Sequence, residues 1–162
     1  MSELASITPD RGAIARGIID ATQYMVLGTA DATGRPWVSP VWFSTIDYRE
    51  FFWVSSPDAT HSRNIAVRPE IGIVIFDSTV AISTGQGVYV RAVAELVADA
   101  DQDRGLDVFS ERSVAVGGRR WTRDDVMPAE GIRLYRAIAS EYSMLAKDGA
   151  PDHRVPVDVA DD

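Results

Sequence analysis

Three β-branched and aromatic runs, Tyr24-Met25-Val26-Leu27-Gly28-Thr29, Trp37-Val38-Ser39-Pro40-Val41-Trp42-Phe43 and Phe51-Phe52-Trp53-Val54-Ser55, follow one another with only turn clusters between them. Those clusters are Asp31-Ala32-Thr33-Gly34-Arg35-Pro36 and Asp47-Tyr48-Arg49-Glu50. Connections this short join antiparallel neighbours, so this part of the chain reads as a three-stranded meander. Pro40 restricts it further. Proline cannot donate to a central ladder, so the second strand, from Trp37 to Thr45, is bulged or at an edge there.

The remaining segments alternate helices with strands. Thr8-Pro9-Asp10 supplies an N-cap, a proline at the first helical position and an early acid; Ile14, Ile18 and Ile19 then make a one-sided stripe, predicting a helix over 9–21. Ser56-Pro57-Asp58 repeats that start chemistry before a helix over 57–67, which Arg68-Pro69 stops. Ile71 to Phe76 reads as a buried strand and Gly87 to Val97 as a long one. Asp101 to Val116 reads as a helix with Leu106 and Phe109 inward, ended by Gly117-Gly118, and Ile132 to Met144 as the last strand. Six strands and three helices predict a mainly β, α+β protein built on a small antiparallel barrel. Residues 1–148 form one domain in this reading, and 149–162 a C-terminal tail with two prolines and little to bury.

Charge and counting remove several function classes. The chain carries 16 Lys plus Arg against 24 Asp plus Glu, a net charge of -8, which repels a nucleic-acid backbone. The absence of cysteine excludes thiolate nucleophiles and iron–sulfur clusters. The two histidines, His61 and His153, have no metal-ligand spacing, so no metal is expected. No serine lies in a Gly-x-Ser-x-Gly elbow, Gly85-Gln86-Gly87 lacks dinucleotide-loop spacing, and Gly117-Gly118-Arg119-Arg120 lacks the Lys-Ser/Thr of a phosphate loop. With no signal-peptide pattern and no apolar stretch long enough to span a bilayer, a cytoplasmic location away from membranes is expected.

One segment carries chemistry. In Ser55-Ser56-Pro57-Asp58-Ala59-Thr60-His61-Ser62-Arg63-Asn64 a strand ends and a helix begins amid hydrogen-bond donors, an arrangement that suits a phosphate. The same residues equally make a plain helix cap with a solvated arginine.

The run Gly34 to Phe43, the strand Phe52-Trp53-Val54-Ser55, the His61-Ser62-Arg63-Asn64-Ile65 turn with Arg68-Pro69-Glu70, and Gly85-Gln86-Gly87-Val88-Tyr89-Val90 resemble the pyridoxamine 5'-phosphate oxidase-like family of flavin-binding split barrels. The likeness covers about residues 20–100. It implies a six-stranded Greek-key split barrel, usually a homodimer, with FMN or the deazaflavin F420 in a cleft between subunits. Carried over by position, Ser39, Pro40, Val41 and Trp42 would line the isoalloxazine edge, and Val54 and Ser55 would flank the ribityl chain and phosphate. Thr60 and His61 stand where the family has basic phosphate ligands, Asn64 matches an asparagine of many deazaflavin-using members, and Gln86 matches a glutamine that reaches the ring system. His61 replaces the family's usual lysine, making a weaker, pH-dependent anion partner. Ala92 stands where glycine is common. The C-terminal Trp and Arg ligands of the vitamin B6 oxidases have no recognisable counterpart, which argues against pyridoxamine phosphate as substrate.

Three functions follow from the resemblance. The first is an FMN- or F420-dependent oxidoreductase that moves hydride to or from a small organic substrate, with the cofactor as reactive group and no side chain required as catalyst. The second is a non-enzymatic flavin- or haem-binding carrier or sensor on the same barrel. The third is a structural dimer with a vestigial cleft.

Overall fold

The computed structural model describes residues 10–160. The first helix, α1 (Arg11–Ala21), starts at Asp10, whose carboxylate accepts a hydrogen bond from Ala13 N at 3.1 Å. Thr8 and Pro9 lie outside the described residues. Ala15 and Ile19 of its inner face are buried against the barrel core.

Strands β1 (Tyr24–Ala30) and β2 (Pro36–Trp42) form the expected hairpin, with Val26 opposite Pro40 and no slip in register. β2 closes one end of the sheet, so Pro40 is accommodated by an edge and no bulge is needed. The strand expected to run on to Thr45 instead breaks at Phe43. A separate β3 (Ser44–Ile46) then pairs with β4 (Glu50–Ser55). The reason is packing: Phe43 is fully buried, packs against Phe51, and donates its N–H to Gln23 O. The β3–β4 turn places Asp47 and Tyr48 at positive φ, 49° and 53°, closed by Arg49 N to Ile46 O; this is the twist-matching hairpin turn usually made by Asn-Gly.

Helix α2 (Thr60–Val67) connects β4 to β5 (Glu70–Phe76), which forms a hairpin with β6 (Gly87–Leu96). α3 (Gln102–Ala115) leads to β7 (Arg133–Leu145). The order β2-β1-β5-β6-β7-β4-β3 is antiparallel throughout. The chain crosses from β4 through α2 to β5 beside β1, and β7 later returns to lie between β6 and β4, which is the Greek-key return. Six long strands thus curl into a split β-barrel, to which the short β3 and β8 (Arg154–Pro156) are added. Alternating residues fill it: Met25, Leu27, Ile71, Ile73, Ile75, Val88, Val90, Ala92 and Ala94 point inward with Phe43, Phe51 and Trp53. Ala92 fits here because it is an inward core position beside the β6–β7 irregularity at Arg91/Ala92.

A second apolar cluster lies on the other face of β4. Phe52 and Leu134 pack there under Leu106 and Phe109 of α3, the two residues expected to face inward. Gly105 permits this approach, since a Cβ there would meet Leu134 Cδ2 at 2.8 Å and Phe52 Cε1 at 2.9 Å. The segment after Asp148 buries more than its composition suggested. β8 pairs with β7, Val159 joins the main core, and Arg16 of α1 donates to Ala160 O.

Glu50 anchors the β4 end by bonding both Arg104 and Arg136, and Arg136 also binds Glu95. The Arg104 and Arg136 guanidiniums hold the Glu50 carboxyl below its ordinary value of 4.5. A depressed carboxylate contributes stability that is complete above its unfolded value and lost as the pH falls through the folded one. Urea midpoints are therefore expected to drop as the pH falls below about 4.5, and the Glu50→Gln variant should show a flatter profile; parallel profiles would remove Glu50 from the acid response.

Candidate functional site

The described residues form, among their surface hollows, two clefts that bear on function. The larger, of about 930 Å³, lies along β1, β5, β6, β7 and the 154–159 segment, and gathers none of the residues expected from the sequence to hold a cofactor. The smaller, of about 400 Å³, is lined by Tyr24, Pro40, Val41, Trp42, Val54, Ser55, His61, Phe109, Ser113 and Trp121. Its chemistry, rather than its size, makes it the candidate site.

The fold assembles this cleft from distant segments. β2 brings Pro40, Val41 and Trp42, and the end of β4 brings Val54 and Ser55. Ser56-Pro57-Asp58 then forms a turn, closed by Ala59 N to Ser56 O, so α2 begins at Thr60 rather than at 57. Ala59 is the N-cap and no side chain caps the helix. His61, in its first turn, is 8% exposed. Its Nε2 lies 2.8 Å from Ser55 Oγ and its Nδ1 lies 3.2 Å from Ser39 Oγ, to which the Trp37 indole N–H donates at 2.9 Å. Burial holds the imidazole below its ordinary value of 6.5, so the ring is neutral at neutral pH. A neutral ring is a hydrogen-bonding group, not a replacement for the positive charge of a lysine.

Aromatic rings form the opposite wall. Phe109 stands edge-on to Trp42 at 4.8 Å and to Trp121 at 5.5 Å between ring centroids. Trp121 is clipped in place: its N–H donates to Ser110 Oγ at 2.8 Å and its carbonyl accepts from the same hydroxyl. The Arg119 guanidinium lies 4.1 Å from the Trp121 ring centre and pairs with Asp125.

The remaining expected ligands lie elsewhere. Ser39 touches the site through His61, and Thr60 is half-buried beside it without lining the cleft. Asn64 is 5% exposed and donates to Thr29 Oγ1 at 3.0 Å, an internal tie between α2 and β1. Gln86 sits just before β6, away from the cleft lining. The sequence alone gives no sign that Tyr24, Phe109 and Ser113 join the site, whereas Trp121, in Gly118-Arg119-Arg120-Trp121, reads equally as a cover over a cofactor or as a surface anchor. Phe109 shows an inward helical face, but only the tertiary fold unites these residues.

Among the described residues, no group of three or more His, Cys, Asp or Glu side chains could hold a metal ion, and no helix is long and apolar enough to cross a membrane. The family model for pyridoxamine 5'-phosphate oxidase matches residues 14–142. The chain belongs to the pyridoxamine 5'-phosphate oxidase family. No curated protein matches it in sequence. Among solved structures it is similar to the haem storage protein HutZ of Vibrio cholerae, with a TM-score of 0.64 and 24% identity, covering 79% of this chain and 89% of that one. A haem-binding protein of Mycobacterium smegmatis gives 0.71 and 18%, covering 93% of this chain but 59% of the other. A FAD-binding protein of Mesorhizobium loti gives 0.58 and 14%, covering 82% and 91%. At these identities the likeness establishes the family's split-barrel fold. The same fold is thus shared by structures described as binding FAD and others described as binding haem.

Proposed function

We propose that the chain is a flavin- or deazaflavin-dependent oxidoreductase that takes FMN, or alternatively F420, in the cleft between β2, the end of β4 and α3. The observation that carries this reading is the convergence of Pro40, Val41, Trp42, Val54, Ser55 and His61 on one cleft walled by aromatic rings. A cleft of about 400 Å³ with flat apolar walls and a few hydroxyl and imidazole groups at one end fits a planar conjugated ring carrying a polar chain. Ser55 and the uncapped start of α2 would meet the polar chain and phosphate, with Thr60 close by. Trp42, Phe109 and Trp121 would hold the ring and exclude water, and Ser39 would act through its bond to His61. When bound, the cofactor supplies hydride transfer with a small organic substrate, and the protein supplies binding and orientation. Trp37, half exposed on the edge strand β2, offers apolar area to a second copy of the chain, in keeping with a homodimer. Asn64 and Gln86 have no part in this cleft as folded.

A haem carrier or sensor is the second reading, favoured by HutZ and the Mycobacterium smegmatis protein. It needs an axial ligand. Both ring nitrogens of His61 face serine hydroxyls, whereas His153 is exposed, with Nδ1 3.0 Å from Pro151 O and Nε2 3.5 Å from Asp148 Oδ2.

Titration of the purified protein with FMN, FAD, F420 and haem, followed by tryptophan quenching, separates the readings. Saturable binding of FMN or F420 at micromolar or lower concentration is the expected result, because Trp42 and Trp121 line the cleft. A Soret band with no flavin uptake would replace the first reading with the second, and no binding at all would sink both.

A further inference from the structure

Trp37, Ser39, His61 and Ser55 form one unbranched line of hydrogen-bonding groups that ends at the cleft. The indole of Trp37 can only donate, so Ser39 Oγ accepts at 2.9 Å. The hydroxyl hydrogen of Ser39 then has one acceptor within reach among the described residues, His61 Nδ1 at 3.2 Å. If Nδ1 accepts, the single proton of the neutral ring is on Nε2 and points at Ser55 Oγ, 2.8 Å away. Every bond then runs head to tail in one direction, the arrangement in which each polarises the next. The opposite tautomer would aim two N–H groups at Ser39 Oγ, leave the Ser39 hydrogen without a protein partner, and turn the Ser55 hydrogen back onto the ring.

We infer that Trp37 and Ser39 are positioning residues that hold His61 as the Nε2–H tautomer, so that the Ser55 hydroxyl offers its proton to the cleft. The site thereby presents a neutral donor, suited to a ligand atom that accepts a hydrogen bond, such as a phosphoryl or carbonyl oxygen. His61 acts behind Ser55 instead of meeting the ligand as a cation. The tautomer belongs to the protein by itself, and only the identity of the acceptor rests on the flavin reading.

The test is a long-range nitrogen–proton correlation spectrum of the ¹⁵N-labelled protein at neutral pH. With only two histidines in the chain, a His153→Gln variant leaves the His61 ring signals alone. The expected spectrum has a protonated Nε2 and an unprotonated Nδ1. Ser39→Ala and Trp37→Phe should shift the ring toward a mixture of tautomers, and Ser39→Thr, which keeps the hydroxyl, should restore the single form. The same spectra report whether each variant is folded. A protonated Nδ1 in the parent protein, or an unchanged ring in Ser39→Ala, would overturn the inference.

A parallel FMN titration keeps the two readings apart. Ser55→Ala should weaken FMN by about tenfold, the worth of one hydrogen bond. Failure of FMN to bind the parent protein, with the Nε2–H ring observed, would remove the flavin reading and leave the hydrogen-bond line standing. Normal FMN binding with a protonated Nδ1 would do the reverse.

Discussion

Phe109→Ala is expected to destabilise the protein by about 3–5 kcal/mol, the range for emptying a buried aromatic site. The position earns the upper half of that range for two reasons. Phe109 is 2% exposed, and its ring is the shared partner of Trp42 and Trp121, so both edge-to-face contacts disappear together. Collapse into the gap is limited on either side. Trp42 belongs to the β1–β2 hairpin, and Trp121 is clipped through its backbone to Ser110. The same substitution removes a wall of the cleft, so FMN affinity measured well below the melting temperature should fall along with Tm. Urea unfolding of Phe109→Ala and Phe109→Leu reads the first effect, with leucine recovering most of the stability. If leucine restores stability without restoring ligand affinity, the aromatic wall matters to binding in its own right. A loss below about 1 kcal/mol for alanine would contradict the packing described for this site.

Arg112→Met is expected to cost about 2–3 kcal/mol, mostly through carbonyls left without a donor. Arg112 reaches from α3 to the end of α1, where one guanidinium nitrogen donates to Ile19 O, Asp20 O and Thr22 O; the Thr22 bond, at 2.6 Å, is the shortest. The positive group also lies against the negative end of the α1 dipole, and it sits 4.4 Å from the Phe43 ring centre. Burial lowers the guanidinium below its ordinary value, partly offset by Asp20, yet arginine stays charged at any ordinary pH. Methionine keeps much of the apolar stem, so the measured loss reports the charged head. Arg112→Lys should recover only part of it, because a compact, strongly hydrated ammonium loses the flat contact of the guanidinium with the Phe43 ring. Denaturant unfolding with unchanged m-values would show that stability, rather than compactness, is what changes. Full stability in Arg112→Met would assign the helix end to solvent.

The fold was legible where local chemistry and tertiary packing agree. The turn at Asp31 to Pro36, Pro40 in an edge strand, and inward Leu106 and Phe109 are all visible as short-range patterns. The break at Phe43 is not, since the residue looks like any strand aromatic until Phe51 and Gln23 O come to meet it. β8 is likewise invisible: Arg154-Val155-Pro156 has no strand periodicity and exists because β7 offers it an edge. The start of α2 was misplaced because Ser-Pro-Asp chemistry also makes a turn, and here Ala59 N to Ser56 O closes one. In the candidate site, Pro40, Val41, Trp42, Val54 and Ser55 do share a cleft with His61, and Ser39 stands behind it. Asn64 stands out by its position in a motif, and in the fold its amide nitrogen donates to Thr29 Oγ1 outside the cleft lining. The wall from α3 and the Trp121 loop depends on long-range packing that no spacing rule encodes.

β7 is bonded to three other strands, β6, β4 and β8. During synthesis it emerges late, long after β4 has left the ribosome. Until it arrives, Phe51, Phe52 and Trp53, all fully buried in the finished protein, lie on a strand with one unpaired edge. Such an edge is a template for pairing with another chain. The nascent protein therefore passes through an interval in which a strand carrying three aromatic side chains of the finished core is open to pairing with its neighbours.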